Sequence, residues 1–329
     1  MKHVVYYPAC IDSPIVAGAR IARWLSKHLP VPKKDIIVLD GKSIRSWLPN
    51  GDYILYVINV PKTMIKEVEA TETFVEKASC VVWIQNDYSI WAPTSSTEGM
   101  SIVTRAFTKR IQHNKPTFVW STCQNRCIKN EKDYRYINWN ALAYQPIDSF
   151  LGSRRKKILY FGSFRDGRVK EFDRYLSHDL AKETFLISAP SASARKFKER
   201  YKFGEEHMTG VLPNIPSDLT KYAATLYLED DQSHRQYHSP ANRLYEGISA
   251  GMAVLVDYKA VGTLQKAGFE VPECCIVSCC VSAREAMLRS RKIVAAQASW
   301  HTAPNTTLPH DEALKQDIKS CLREVLKCA

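Results

Sequence analysis

At 329 residues the chain is longer than one hydrophobic core ordinarily supports, so two domains are expected. Hydrophobic residues make up 45% and charged residues 24%, which excludes a disordered or low-complexity chain, and no apolar run approaches the roughly 20 residues of a membrane span. Lys and Arg number 46 against 34 Asp and Glu, and the formal net charge of +12 favours a polyanionic partner such as nucleic acid, or an anionic ligand.

The first residues, one lysine and then Val4-Val5-Tyr6-Tyr7, are too short an apolar run for a signal peptide and predict the first strand of a cytoplasmic protein. A loop over Pro8–Pro14 leads into a helical pattern from Ile15 to Leu29, with Ile21 and Leu25 four apart and Gly18 in its first turns. Strands are then predicted at Asp35–Leu39, Asp52–Asn59, Cys80–Ile84 and Thr117–Ser121. Helical segments alternate with them at Lys42–Leu48, Lys62–Ala78 and Glu98–His113. Residues 134–150 are aromatic and polar without a firm period. Such alternation gives an α/β fold with a mostly parallel sheet covered on both faces, and its ligands gather at the carboxyl ends of the strands. That rule puts Pro8–Gly18 and Gln85–Trp91 on one rim.

The pattern restarts after a basic joint at Ser153–Lys157. A strand at Ile158–Phe161 runs into Gly162-Ser163-Phe164-Arg165-Asp166-Gly167-Arg168, where a glycine directly after a strand lets backbone approach a ligand and two arginines add charge. The spacing is neither the dinucleotide fingerprint nor a Walker motif. A helix at Val169–Leu176, a strand at Thr184–Ser188, helices at Ser193–Tyr201 and Asp218–Tyr222 and a strand at Ala224–Leu228 follow. A strand at Ile276–Cys280 and helices at Arg284–Ala298 and Asp311–Lys327 close the chain. The expected division is a Rossmann-like domain over 1–150, a second over 151–300, a cleft between them, and a C-terminal helical segment over 301–329 packing back across both.

Ten cysteines invite a metal or disulfide reading. Cys123 and Cys127 lie far from Cys274, Cys275, Cys279 and Cys280, no histidine stands at ligand spacing, and adjacent cysteines in a strand point to opposite faces. They are expected to be reduced, small buried hydrophobes. Glu229-Asp230-Asp231 fan apart and read as a solvated loop, so a divalent metal is not indicated.

The stretch Tyr237–Asp257 carries the most chemistry. Ser239 and Pro240 suit an N-cap and first helical position, Gly251 ends the helix, and Met252–Val256 is an apolar run fit for a covered strand. Leu244 and Ile248 face the core, while Arg243 and Glu246, three apart, share another face. A cation beside free helix N–H groups suits a diphosphate, and a carboxylate one turn later suits a ribose diol. The competing reading is a surface ion pair worth about 0.2–0.5 kcal/mol.

These residues carry a resemblance. Ile158–Ser163 with Arg165, and Asn242–Leu255 with its Gly247-Ile248-Ser249-Ala250-Gly251-Met252 core, are similar to the nucleotide-sugar half of glycosyltransferases of the GT-B fold. Within that fold, length and basic balance are similar to those of phage DNA glycosyltransferases, which put a sugar on a hydroxymethylated pyrimidine. The resemblance implies Glu246 on the ribose, and Arg243 and Arg165 with the Gly162-Ser163 loop at the diphosphate of a UDP-sugar donor. Arg168 adds charge at the same strand end, and His238, flanking the helix, is a further donor-site candidate that could touch phosphate or acceptor. It implies no tightly bound cofactor, double-stranded DNA as second partner, and the host cytoplasm as location if the gene is a phage's.

Glycosyl transfer to a hydroxyl also needs a base. Asp87, after the fourth strand, is the first candidate and Asp12, after the first, the second. Arg105, Lys109, Arg110, Arg126, Arg135, Tyr134, Tyr136 and Trp139 mix cations with aromatics and suit DNA phosphates and an extruded base. The other readings of the same residues are a glycosyltransferase for a glycan, lipid or small molecule, and a non-catalytic nucleic-acid-binding protein.

Overall fold

The computed structural model describes residues 1–8, 17–47, 51–58, 73–85, 109–110, 112–122, 134–145, 147, 153–230 and 240–329. The chain divides into one unit of Met1–Asn140 with Asp311–Ala329 and another of Ala141–His310.

In the first unit, β1 (Lys2–Tyr7), β2 (Ile36–Asp40), β3 (Tyr53–Ile58), β4 (Cys80–Gln85), β5 (Thr117–Ser121) and β6 (Tyr134–Tyr136) form one parallel sheet in the order β2-β1-β3-β4-β5-β6. Every residue of β3, β4 and β5 is buried, which accounts for their unbroken apolar runs. Val4, Tyr6, Leu55, Val57, Val81, Trp83 and Val119 share one core by the period-two alternation of the strands. Helix α1 (Ala17–His28) buries Ile21 and Leu25 as their spacing predicts. The predicted helix at Lys42–Leu48 is a 3-10 turn at Ser43–Arg45. The aperiodic stretch after residue 134 supplies the sixth strand, too short to show a period.

The second unit contains β7 (Arg155–Phe161), α2 (Val169–Leu176), α3 (Ala181–Thr184), β8 (Phe185–Ser188), α4 (Ser191–Tyr201), β9 (Tyr222–Tyr227), α5 (Asn242–Ser249), β10 (Ala253–Asp257), α6 (Val261–Lys266), β11 (Ile276–Val277), α7 (Cys280–Leu288) and α8 (Ser290–Ala296). Its sheet is parallel, in the order β11-β10-β9-β7-β8. Numbered within each unit, the first sheet reads 2-1-3-4-5-6 and the second 2-1-3-4-5, so the winding reverses between β1 and β3 in the first and between β7 and β9 in the second. The last helix, α9 (His310–Cys328), belongs to the first unit from Asp311 onward and buries Leu314, Ile318, Leu322 and Val325 on one stripe.

Three local expectations are corrected. The basic joint is no linker: β7 starts at Arg155, whose guanidinium lies 5.9 Å from the Tyr222 ring centroid while Lys157 Nζ donates to the Glu183 carbonyl. Cys279 and Cys280 are not in a strand. Cys279 caps α7, with its sulfur in the place a serine usually takes opposite Ser282. Cys275 is a buried thiol pushed up to about 12 by desolvation, and the described cysteines form no disulfide with one another. Finally, α5 is buried on every side from Arg243 to Ser249, so the surface ion-pair reading of Arg243 fails.

Candidate functional site

The winding reversal of the second sheet is where a doubly wound fold opens a crevice, because neighbouring loops leave in opposite directions there. Gly162 follows β7 at that point, and Leu228, Glu229 and Asp230 follow β9. Gly162 has φ +143°, a conformation side chains rarely adopt, and its N–H donates to Ser188 O at 2.9 Å. A Cβ on it would stand 2.9 Å from Arg243 Nη1, so the glycine lets a guanidinium lie against the turn.

That guanidinium comes from the first turn of α5. Arg243 Nη1 donates to Tyr160 Oη at 2.8 Å, Nη2 donates to Leu228 O at 3.1 Å and to Glu229 Oε1, and the group lies 5.2 Å from the Tyr160 ring centroid. Arg168 Nη2 donates to Glu229 Oε2, and its Nε sits 3.4 Å from Asp230 Oδ2. Glu229 therefore gives one carboxylate oxygen to each arginine. Burial alone would push its carboxyl up; Arg168 and Arg243 outweigh that and hold it below the ordinary carboxylate value. Burial opposes the charge on Arg243 in turn, but Tyr160 and Glu229 raise its pKa above the usual value. Both arginines stay charged.

The solvated-loop reading of Glu229-Asp230 is thus corrected: Glu229 is 6% exposed and Asp230 8%, and the acids offset two buried cations. Their place at the end of an apolar strand was the signal available in the sequence. Arg168 and Arg243, read as cations facing a ligand, are paired beneath the turn. Ser163 and Arg165 are exposed above it, and Arg165 adds its field to Glu229. Glu246, one turn beyond Arg243, is 6% exposed. Gly251 ends α5 at φ +62° as predicted, whereas Ala241 stands at the N-cap position and caps with no side chain.

His238, the predicted N-cap Ser239, Asp87 and Asp12 lie outside the described residues, as do Arg105 and Arg126. The basic-aromatic surface is corrected in two places. Arg110 is 1% exposed and donates to the carbonyls of Val75, Ala78 and Pro116 at 2.7–2.9 Å, and Trp139 is core. Arg135 pairs with Glu324 at 2.6 Å. Among the described residues no three His, Cys, Asp or Glu side chains gather as metal ligands do, and no helix is long and apolar enough to cross a membrane.

Gly162→Ala should cost about 1–3 kcal/mol, from backbone strain and from the displaced Arg243 guanidinium. Urea melts would register it as a lower midpoint with an unchanged slope.

No protein-family model matches the chain, and comparison with curated protein sequences finds no match. Solved structures do match. Phage T4 β-glucosyltransferase in complex with UDP and Mn²⁺ is 12% identical with a TM-score of 0.62, over 100% of this chain and 99% of that one. A point variant of the same enzyme with UDP-glucose is 13% identical with a TM-score of 0.61, at the same coverage. An α-glucosyltransferase in complex with UDP and a 13-mer DNA is 10% identical with a TM-score of 0.53, over 100% of this chain and 95% of that one. Over its whole length the chain is similar in fold to phage T4 β-glucosyltransferase, and its two parallel α/β sheets give it a GT-B-like fold.

Proposed function

We infer that the protein is a nucleotide-sugar-dependent glycosyltransferase that moves glucose from UDP-glucose to the hydroxyl of a hydroxymethylated pyrimidine in DNA, in the cytoplasm. The observation that carries the reading is the Gly162 turn with exposed Arg165 at the winding reversal, above a charge cluster already organised by Glu229. A departing diphosphate needs fixed positive charge and backbone N–H donors that do not reorganise during the reaction. In this reading Arg165 and the Gly162–Ser163 backbone meet the diphosphate, with His238 as a further contact. Arg168 and Arg243 hold the turn and supply field from below. Glu246 accepts from the ribose hydroxyls, and Asp87 or Asp12 takes the acceptor's proton. The fold likeness to enzymes complexed with UDP, UDP-glucose and, for the α-glucosyltransferase, DNA supports the same assignment. A base in a duplex must leave the stack to reach such a site, and the net charge of +12 suits the DNA that presents it.

The test is mass spectrometry of hydroxymethylated DNA incubated with the protein and a panel of sugar nucleotides. A mass increase of one hexose with UDP-glucose is expected; no addition with any donor would reject the reading. Glu246→Ala should weaken UDP-glucose binding by about 10–100-fold in calorimetry, as loss of hydrogen bonds to a charged group implies, with DNA affinity unaltered. Unchanged donor affinity would remove Glu246 from the ribose.

A further inference from the structure

We propose that the amino-end rim of the second sheet, opposite the Gly162 crevice, binds the phosphodiester backbone of nucleic acid without reading its sequence. Two hollows of about 490 and 520 Å³ adjoin there and share Lys156, Ser290 and Arg291. Lys156 lies near the start of β7, and β7's seven residues set this rim roughly 20 Å from Gly162. The rim is therefore a second surface, separate from the candidate donor site.

Its charge is one-sided. Lys156, Arg289, Arg291 and Lys292 line the hollows, all four are exposed, and none has an ion-pair or side-chain hydrogen-bond partner among the described residues. No Asp or Glu lines either hollow. Elsewhere on this unit many exposed cations are matched, as Lys196 is by Asp166 and Arg200 by Asp173. The nearby Glu183 is paired with Arg284. Arg154 forms a fixed wall, because its guanidinium donates to the carbonyls of Ala250 and Gly251 and so ends α5. Four unmatched charges on one rim repel each other until an anion arrives, and two hollows in line suit successive phosphates of one strand.

The lining also says what is not read. It contains no aromatic side chain to stack on a base and no Asn or Gln to pair with a base edge. Phosphate contacts of this kind fix position and affinity and carry no sequence information. Cations exposed at a rim act on a polyelectrolyte through counterion release, which makes the contact salt-dependent.

The test uses the full chain with Lys156→Gln, Arg291→Gln and Lys292→Gln combined, and an unmodified DNA duplex as probe. The slope of log affinity against log salt should shrink by about 2–3, near 0.9 for each phosphate released, and affinity at fixed salt should fall at least tenfold. Thermal melting and UDP-glucose binding should stay as in the wild type. An unchanged slope would overturn the proposal, as would a triple variant that loses anionic phospholipid vesicles but keeps the duplex. The inference does not depend on sugar transfer: a wild type that binds no sugar nucleotide while the slope still changes would reject the transferase reading and leave this one standing.

Discussion

Glu229→Ala should destabilise the second unit by about 3–5 kcal/mol, the cost of removing one partner from a buried charge pair. For a unit of this size that lowers the melting temperature by roughly 6–20 °C. The reason lies in the carboxylate's two bonds, one oxygen to Arg168 and one to Arg243, with side chains between 6% and 10% exposed. Without it two guanidiniums face each other in a nearly dry space. Charge on its own is dispensable for stability, since well-packed apolar side chains often replace a buried ionic triad at no loss. The combined Arg168→Met, Glu229→Leu, Asp230→Asn, Arg243→Met protein, which leaves no buried charge of the cluster unmatched, should therefore recover most of the lost stability and still fail to bind UDP-glucose. Recovery of both would mean that the cluster serves packing alone. The same carboxylate gives an acid signature. Its folded pKa lies below the ordinary 4.5, so its contribution is complete above that value and disappears as pH falls through the folded one. Glu229→Gln should flatten the loss of stability below about pH 4.5, measured by melts across the acid range.

The sequence made the framework legible and the charge pairing illegible, for physical reasons. Buried parallel strands are continuous apolar runs, so β1, β3, β4, β5 and β10 stand out, as does Gly251, whose backbone excludes other residues. Pairing between distant charges leaves no periodic mark. Arg243 was matched to Glu246 because helical spacing is visible, whereas its partner Glu229 lies 14 residues earlier on another element. Arg110 looked like surface charge for the same reason: the carbonyls of Val75 and Ala78 that satisfy it are 35 and 32 residues away. Polar residues that end apolar strands, as Glu229 does, deserve to be weighed as site residues before they are read as loop.

Asp87→Asn should lower kcat by about 10²–10⁴-fold while leaving UDP-glucose affinity unchanged, the signature of a lost general base. Asp87 stands two residues past Gln85, the last residue of β4, and Asp12 five residues past Tyr7, the last of β1. In the sheet order only β3 separates those strands, so their ends lie about 10 Å apart. The carboxyl ends of β1 and β4 thus share one rim, and Asp12 follows in sequence the strand at the winding reversal itself, so the two positions must be tested together. Asparagine keeps the size and polarity of the side chain and removes its capacity to take a proton. The base is the aspartate whose replacement abolishes the rise of kcat/KM with pH, and the other should keep that limb at a somewhat altered rate. If both variants keep the limb and turn over at the wild-type rate, the proton leaves by another group and both assignments fall. If Asp87→Asn weakens the donor as much as it slows turnover, the residue acts on ground-state binding and not on the acceptor hydroxyl.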